Sequence, residues 1–472
     1  MRLSASPDRL FPADAGVRRL AAELHAAVTD APIVSPHGHV DARLLLDDQP
    51  FADPADLLVT PDHYVLRLLH AHGVPLDALG RGTADAPAGI SAPREVWRAF
   101  ASHWHVFAGT PVRVWLEDTL QNVIGLDRHP SAANADEQFD AITAWIADPA
   151  SRPRRLYERF RIDVLATTDD PADDLAAHRA LAADASWGGR VIPTFRPDRY
   201  LDPSAPGWRA ALDDLTAASG VDCGTHAGLV AALEDRRAYF RAAGATSTDT
   251  GVAEAWAVRG EPAELERIHA AARAGDVPAS DAAAYRAHML WELARMSSED
   301  GLVMQLHPGV LRNHHTPTLQ RFGPDTGHDL PLPTSYSVPL RDVLRDFGTH
   351  PGFRLVLFTV DETSFSREIA PLAGFYPSVF AGAPWWFLDS PDGIRRYRES
   401  VTDSAGFYKT SGFIDDTRAF LSIPARHDVA RRMDAGWLAT LVATGRLPEE
   451  EARTIAADLV GPLPRHVFRL DA

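Results

Sequence analysis

Apolar positions along the chain recur with two different periods. Leu20, Leu24, Ala27 and Val28 fall at helical spacing within a stretch from Leu10 to about Asp30, which predicts one helix. Ile33-Val34 then forms a short apolar run cut by Pro36, and it reads as a buried strand. From about residue 41 to 160 the pattern is helical: Pro61–His70, Arg94–Phe100 and Ala135–Trp145 are amphipathic, and no strand is predicted there. After Arg159 a strand–helix rhythm begins. Strands are predicted over Ile162–Thr167, Arg190–Phe195, more weakly Ala245–Asp249, then Gly301–His307, Phe353–Thr359, Tyr376–Phe380 and Gly412–Asp416. Helical stretches cover about 205–243 and run on to about Arg295. With the first strand this makes eight βα units, and the expected fold is α/β, a (β/α)8 TIM-type barrel with a helical insertion after the first strand. The expected division is a barrel of 1–40 and 160–472, with a further helical excursion at about 205–295, and an insertion of 41–159 covering the barrel mouth.

Composition narrows the function classes. The 472 residues carry a net charge of −17, which argues against a general nucleic-acid binder needing a basic face. A local arginine cluster for an anionic substrate remains compatible with that charge. No apolar run approaches the length of a membrane span, and the N-terminal residues lack a signal-type apolar core, so a cytoplasmic protein is expected. The single cysteine, Cys223, allows no internal disulfide and no cysteine-rich zinc site. No Gly-X-X-X-X-Gly-Lys-Ser/Thr loop, no Gly-X-Gly-X-X-Gly after a strand and no Gly-X-Ser-X-Gly elbow is present, which lowers the prior on nucleotide hydrolysis, nicotinamide chemistry and serine hydrolysis.

The polar residues that end the predicted strands carry the candidate chemistry, because barrel active sites lie at the carboxyl ends of the strands. His37 and His39 follow the first strand, two residues apart, so a strand would aim both imidazoles to one side. With His307 as a third nitrogen and Asp416 as a carboxylate, they would hold a divalent metal with an open position, a catalytic arrangement. Taken singly, His307 is an ordinary satisfied polar residue and Asp416 the cap of a helix starting near Thr417. Arg196, Arg312 and Arg418 each follow a predicted strand, and their guanidinium forks suit carboxylates, against the alternative of surface ion pairs. Trp385 and Trp386 form the wall of a sugar pocket or pack in the core. His63 and Tyr64, directly after Asp62, either cap and pack their helix or lean over the barrel mouth as acid or base.

The segments Ser35-Pro-His-Gly-His39, Asp62-His-Tyr64, Thr167-Thr-Asp-Asp-Pro171, Phe195-Arg-Pro-Asp198, Met304-Gln-Leu-His307, Leu311-Arg-Asn313, Gly323-Pro-Asp-Thr-Gly327, Trp385-Trp-Phe387, Asp416-Thr-Arg418 and Arg426-His427 span almost the whole chain. In this order they resemble the uronate isomerase (glucuronate isomerase) family of the amidohydrolase superfamily. The resemblance implies a distorted (β/α)8 barrel that isomerises D-glucuronate to D-fructuronate and D-galacturonate to D-tagaturonate. It implies His37, His39, His307 and Asp416 at the metal, with zinc expected first and manganese, iron or cobalt as alternatives. It ties His63, Tyr64 and Arg418 to catalysis, and Arg196 with Trp385 or Trp386 to substrate, with Arg312 beside them. Two segments depart from the family's pattern: Thr250 stands where a histidine is usual, and Val114-Trp-Leu-Glu-Asp-Thr-Leu120 replaces a His-Trp-Thr-His-Leu-Glu-Leu run.

An aldose–ketose isomerase moves a proton from C2 to C1 through an enediol. Tyr64 or Asp416 is the expected base, with Arg418 steadying the enediolate; Tyr64 would need cations such as His63 and Arg418 to lower its pKa. The rival within enzymes is a metal-dependent hydrolase or lactonase using the same His-X-His and Asp, and the rival outside them is a non-catalytic sugar-acid binder. The expected partner is a small hexuronate, with no nucleic acid and no membrane. Large barrels of this kind often form homo-oligomers.

Overall fold

A computed structural model gives the architecture, and it describes residues 2–3, 6–83, 89 and 91–471. The first helix, Ala15–Val28, is shorter than the periodicity predicts, because Asp14 caps it by accepting from Gly16 N and Val17 N at 2.9 and 3.0 Å. Ala21, Leu24, His25 and Val28 form its buried stripe. Among the described residues nine strands follow: β1 Ile33–Ser35, β2 Ile162–Ala166, β3 Val191–Ile192, β4 Ser247–Val252, β5 Val303–Pro308, β6 Val310–Leu311, β7 Leu330–Pro331, β8 Leu355–Leu357 and β9 Val379–Ala381. Between β1 and β2 the named elements are all helical, as the sequence pattern predicts.

Two parallel sheets, β1-β2-β3 and β4-β5-β8-β9, make the α/β frame, and β6 and β7 form a small antiparallel pair outside it. β5 is buried at every position, the signature of a strand covered on both faces. The sheets join where Phe195 bridges Thr248, with Phe195 N to Ser247 O at 3.3 Å and Asp249 N to Phe195 O at 2.9 Å. On the other side Ala381 bridges Thr410, and His39 N donates to Thr417 O at 3.1 Å. A ring is thus closed by single bridges in a distorted TIM-type barrel.

The eighth expected strand, Gly412–Asp416, does not form a ladder. Gly412 at φ 73° and Asp416 at φ 44° interrupt the extended backbone on either side of the apolar Phe413-Ile414 pair. No helix starts at Thr417 either. The chain passes through the 3-10 turn Phe420–Ser422 into the helix Ile423–Ala443, so Asp416 is not a helix cap. Among the described residues, no helix is long and apolar enough to cross a membrane.

The first helix docks on Ile423–Ala443, which carries residues of the barrel's closing edge. His25 Nε2 lies 2.7 Å from Asp428 Oδ1, and Arg432 Nε donates to Asp428 Oδ2 at 2.6 Å. Burial works to raise the Asp428 carboxyl, but His25 and Arg432 outweigh it and hold it down to about 2. A depressed carboxyl stabilises the fold above the ordinary carboxylate range and loses that contribution as pH falls towards 2. Asp428→Asn is therefore expected to cost about 1–2 kcal/mol at pH 7 in denaturant unfolding, and less as pH falls from about 4 towards 2. A cost independent of pH would contradict this assignment.

Candidate active site

β1 ends at Ser35, so His37 and His39 sit in the loop beyond the strand. Thr168 Oγ1 pins that loop by donating to Gly38 O at 2.9 Å. The two rings stand edge to face, 5.4 Å apart, and both turn to Asp416: His37 Nε2 lies 3.3 Å and His39 Nε2 3.1 Å from Asp416 Oδ1. Asp416 is brought there by its left-handed backbone, φ 44°, a conformation uncommon outside glycine. Ligand atoms of His37, His39 and Asp416 all lie within 4.8 Å of one another.

These atoms approach without bonding. His37 Nε2 and Asp416 Oδ1 are buried and make no hydrogen bond. Buried polar atoms are normally paired, so acceptors held together without a shared proton fit a cation at their centre. Two imidazoles and a carboxylate are the donor set of an open catalytic site. Burial alone would raise the Asp416 carboxyl, but the two imidazoles overcome it and hold it below the ordinary carboxylate range.

His307, expected as a further ligand, is placed differently. Its Nε2 is 2.7 Å from Asp249 Oδ1, beside the cluster of His37, His39 and Asp416, and like the buried atoms of that cluster neither of the two makes a hydrogen bond. Asp249 also faces Arg196 Nη1 at 3.1 Å. Burial opposes its ionisation, yet His307, Arg196 and His37 keep it well below the usual carboxylate range. Gly251 allows this crowding, since a Cβ there would meet His307 Cε1 at 2.6 Å and Asp198 Oδ2 at 3.0 Å. Arg196 Nε donates to Asp198 Oδ2 at 2.9 Å, so two protein carboxylates already hold its fork.

A cavity of about 510 Å³ opens over this floor. It is lined by His39, His63, Tyr64, Arg196, His307, Arg312, Trp385, Trp386, Asp416 and Arg418. His37 alone among the predicted site residues does not line it; it is buried and touches Asp416. Trp385 stands edge-on to His307 at 4.8 Å and donates from Nε1 to Thr359 O at 3.2 Å, so it serves as both wall and packing. Trp386, at φ 51°, lies under Arg312 at 4.7 Å and beside His63 at 5.9 Å. Arg312 pairs with Asp329 at 3.1 Å, and Arg418 with Asp325 at 3.0 Å. Asp62 caps the helix His63–Ala71, which leaves His63 and Tyr64 stacked at 4.6 Å on the cavity wall. Burial lowers the His63 pKa.

Tyr64 corrects one expectation. Burial, and then the carboxylate of Asp389, push its phenol well above 10, so His63 and Arg418 do not make it acidic. Its hydroxyl donates to Asp389 Oδ2 at 3.0 Å. The sequence does not mark Asp389 and Asp249 as site residues, and Asp198, Asp325 and Arg426 stand in the quoted segments without a role. Asp249 had one signal: a charge between Thr248 and Thr250 in the middle of a strand. Of the two departures, Thr250 is a fully buried strand residue, whereas the 114–120 run supplies Trp115, a cavity residue edge-on to Tyr64 at 5.5 Å.

Metal analysis checks the donor set. His37→Asn is expected to fall well below the roughly one equivalent per chain of the wild type, while Asp249→Asn keeps it. Full metal content in His37→Asn would remove the triad as the site.

Residues 17–461 match the family model for glucuronate isomerase. A uronate isomerase of Rhizorhabdus wittichii is 50% identical over 468 residues, 99% of each chain. The crystal structure of glucuronate isomerase from Caulobacter crescentus superposes with a TM-score of 0.98 at 46% identity, covering 100% of this chain and 98% of that one. The uronate isomerase structure from Thermotoga maritima does so with a TM-score of 0.92 at 28% identity, covering 98% and 99%.

Proposed function

This chain belongs to the glucuronate (uronate) isomerase family, and from that premise we propose how its residues divide the work of isomerising a hexuronate. The enzyme converts an aldose uronate to the matching ketose by moving a proton from C2 to C1. The substrates assigned are D-glucuronate, giving D-fructuronate, and D-galacturonate, giving D-tagaturonate. The observation that carries the reading is the meeting of His39, Asp416, His63, Tyr64, Arg196 and Arg418 on one cavity, in a chain matched along nearly its full length.

His37, His39 and Asp416 would hold a divalent metal, with zinc first and manganese, iron or cobalt as alternatives. Its chemistry there is to supply positive charge for the uronate carboxylate and a neighbouring hydroxyl. Arg196 turns its remaining N–H groups to the substrate carboxylate, since Asp198 and Asp249 already fix the guanidinium. The tryptophans flank the sugar ring, Trp386 with Arg312 stacked on it. Arg418, with 43% of its side chain exposed and tethered to Asp325, offers charge to the enediolate oxygen as it develops. Proton transfer is assigned to one of two oxygen groups on the wall, Tyr64 or Asp416. The helical stretch 41–159 supplies the roof of the cavity through residues such as Phe51, Leu57, Tyr64 and Trp115.

Arg196→Met is expected to raise KM by about tenfold or more with a smaller change in kcat, and Arg418→Met to lower kcat chiefly. Steady-state kinetics on both uronates checks the split, and an unchanged KM in Arg196→Met would remove that residue from carboxylate binding. Product identity tests the function itself. Ketose detected by NMR supports isomerisation, whereas inert uronates together with hydrolysed lactones or amides would support a hydrolase.

A further inference from the structure

In the cavity wall and just behind it lies a group of residues that a metal and an arginine clamp do not by themselves require. Tyr64, in the first turn of His63–Ala71, donates to Asp389 Oδ2 at 3.0 Å. Arg426, from the helix Ile423–Ala443, donates to the same oxygen from Nη1 at 2.7 Å. Arg426 is itself fixed, with Nε donating to Ser422 Oγ at 3.1 Å and the guanidinium 3.7 Å from the Trp115 ring centre. Tyr64, Asp389 and Arg426 are all buried, and Asp389 Oδ1 makes no hydrogen bond.

A phenol has one hydrogen, and here it points at Asp389. The oxygen lone pairs are what Tyr64 has left for the cavity it lines. A neutral phenol oxygen is a very weak base unless its own proton leaves in the same step. Asp389 is the group placed to receive that proton. Its carboxyl is pushed up to about 6 by burial, against the pull of Arg426, so protonation costs it little.

We propose that Asp389 is a positioning residue of the isomerisation, acting through Tyr64, whose hydroxyl it orients and whose proton it accepts while Arg426 holds it in place. The proposal rests on the isomerase reading above. As the C2–H bond breaks, its proton passes to the Tyr64 oxygen and the phenol proton passes to Asp389 Oδ2. The electron pair of the broken bond becomes the enediolate double bond. The C1 carbonyl pair meanwhile moves onto O1; in the return step the O2 hydroxyl proton passes to O1 as the C2 carbonyl forms, Tyr64 protonates C1 and Asp389 gives its proton back to Tyr64, so the enzyme ends as it began.

The test compares wild type, Asp389→Asn, Tyr64→Phe and the double variant, all as metal-loaded enzyme, on D-glucuronate carrying hydrogen or deuterium at C2. Asp389→Asn is expected to lose about 10²-fold in kcat with KM within about threefold, and to show a larger isotope effect than wild type. The double variant is expected to be no more than about twofold slower than Tyr64→Phe alone. An Asp389→Asn enzyme within about threefold of wild-type kcat, an unchanged isotope effect, or losses that multiply in the double variant would overturn the proposal. Should Asp389→Asn fail to fold, Arg426→Lys keeps the charge and must show the same lack of additivity with Tyr64→Phe; multiplying losses there overturn it too. A wild type that leaves both uronates unchanged would overturn the function itself, and the proposal with it.

Discussion

The site depends on one unshared contact: a carboxylate oxygen of Asp416 faces two imidazole nitrogens, and neither bonds to it in the usual way. Asp416 takes a left-handed backbone to get there, and the segment carrying it gives up strand pairing in doing so. A regular eighth strand would ladder with β9. The single bridge at Thr410 and the His39–Thr417 bond close the ring while leaving Asp416 turned over its end. The irregularity of the barrel and the geometry of its centre are therefore the same fact.

Around that centre the protein settles its own charges before any substrate arrives. Asp249 and Asp198 flank Arg196, Asp325 holds Arg418, Asp329 holds Arg312, and Asp389 holds Arg426. Each arginine is orientated by a carboxylate of the chain, which reduces the freedom lost on binding. The exposures differ in a useful way. Arg426 is sealed in, with 2% of its side chain exposed, whereas Arg418 keeps 43%. The first is suited to fixing a neighbour, and the second to meeting a ligand.

What the sequence makes legible follows from local chemistry. His37-Gly-His39 after an apolar strand, Asp416 two residues before Arg418, and the paired tryptophans are short patterns, each visible within a few residues. Asp389 is different: it follows the paired tryptophans closely, but its contact with Tyr64 spans 325 positions, which no local pattern shows. The same holds for Arg426, which meets Asp389 from another helix, 37 positions on. Phe413-Ile414 reads as a strand because apolar pairing is visible and backbone handedness at Gly412 and Asp416 is not. The Tyr64 environment was misjudged for a related reason. The cations His63 and Arg418 belong to short visible patterns, whereas the buried carboxylate of Asp389, which acts against them, belongs to none.

The most direct test of the account is anomalous diffraction from crystals of the metal-loaded protein, collected at the absorption edge of the metal found in it. The account predicts one strong peak within bonding distance of His37 Nε2, His39 Nε2 and Asp416, at about 2.0–2.2 Å for zinc. A peak seated between His307 and Asp249 instead, or none at Asp416, would contradict it.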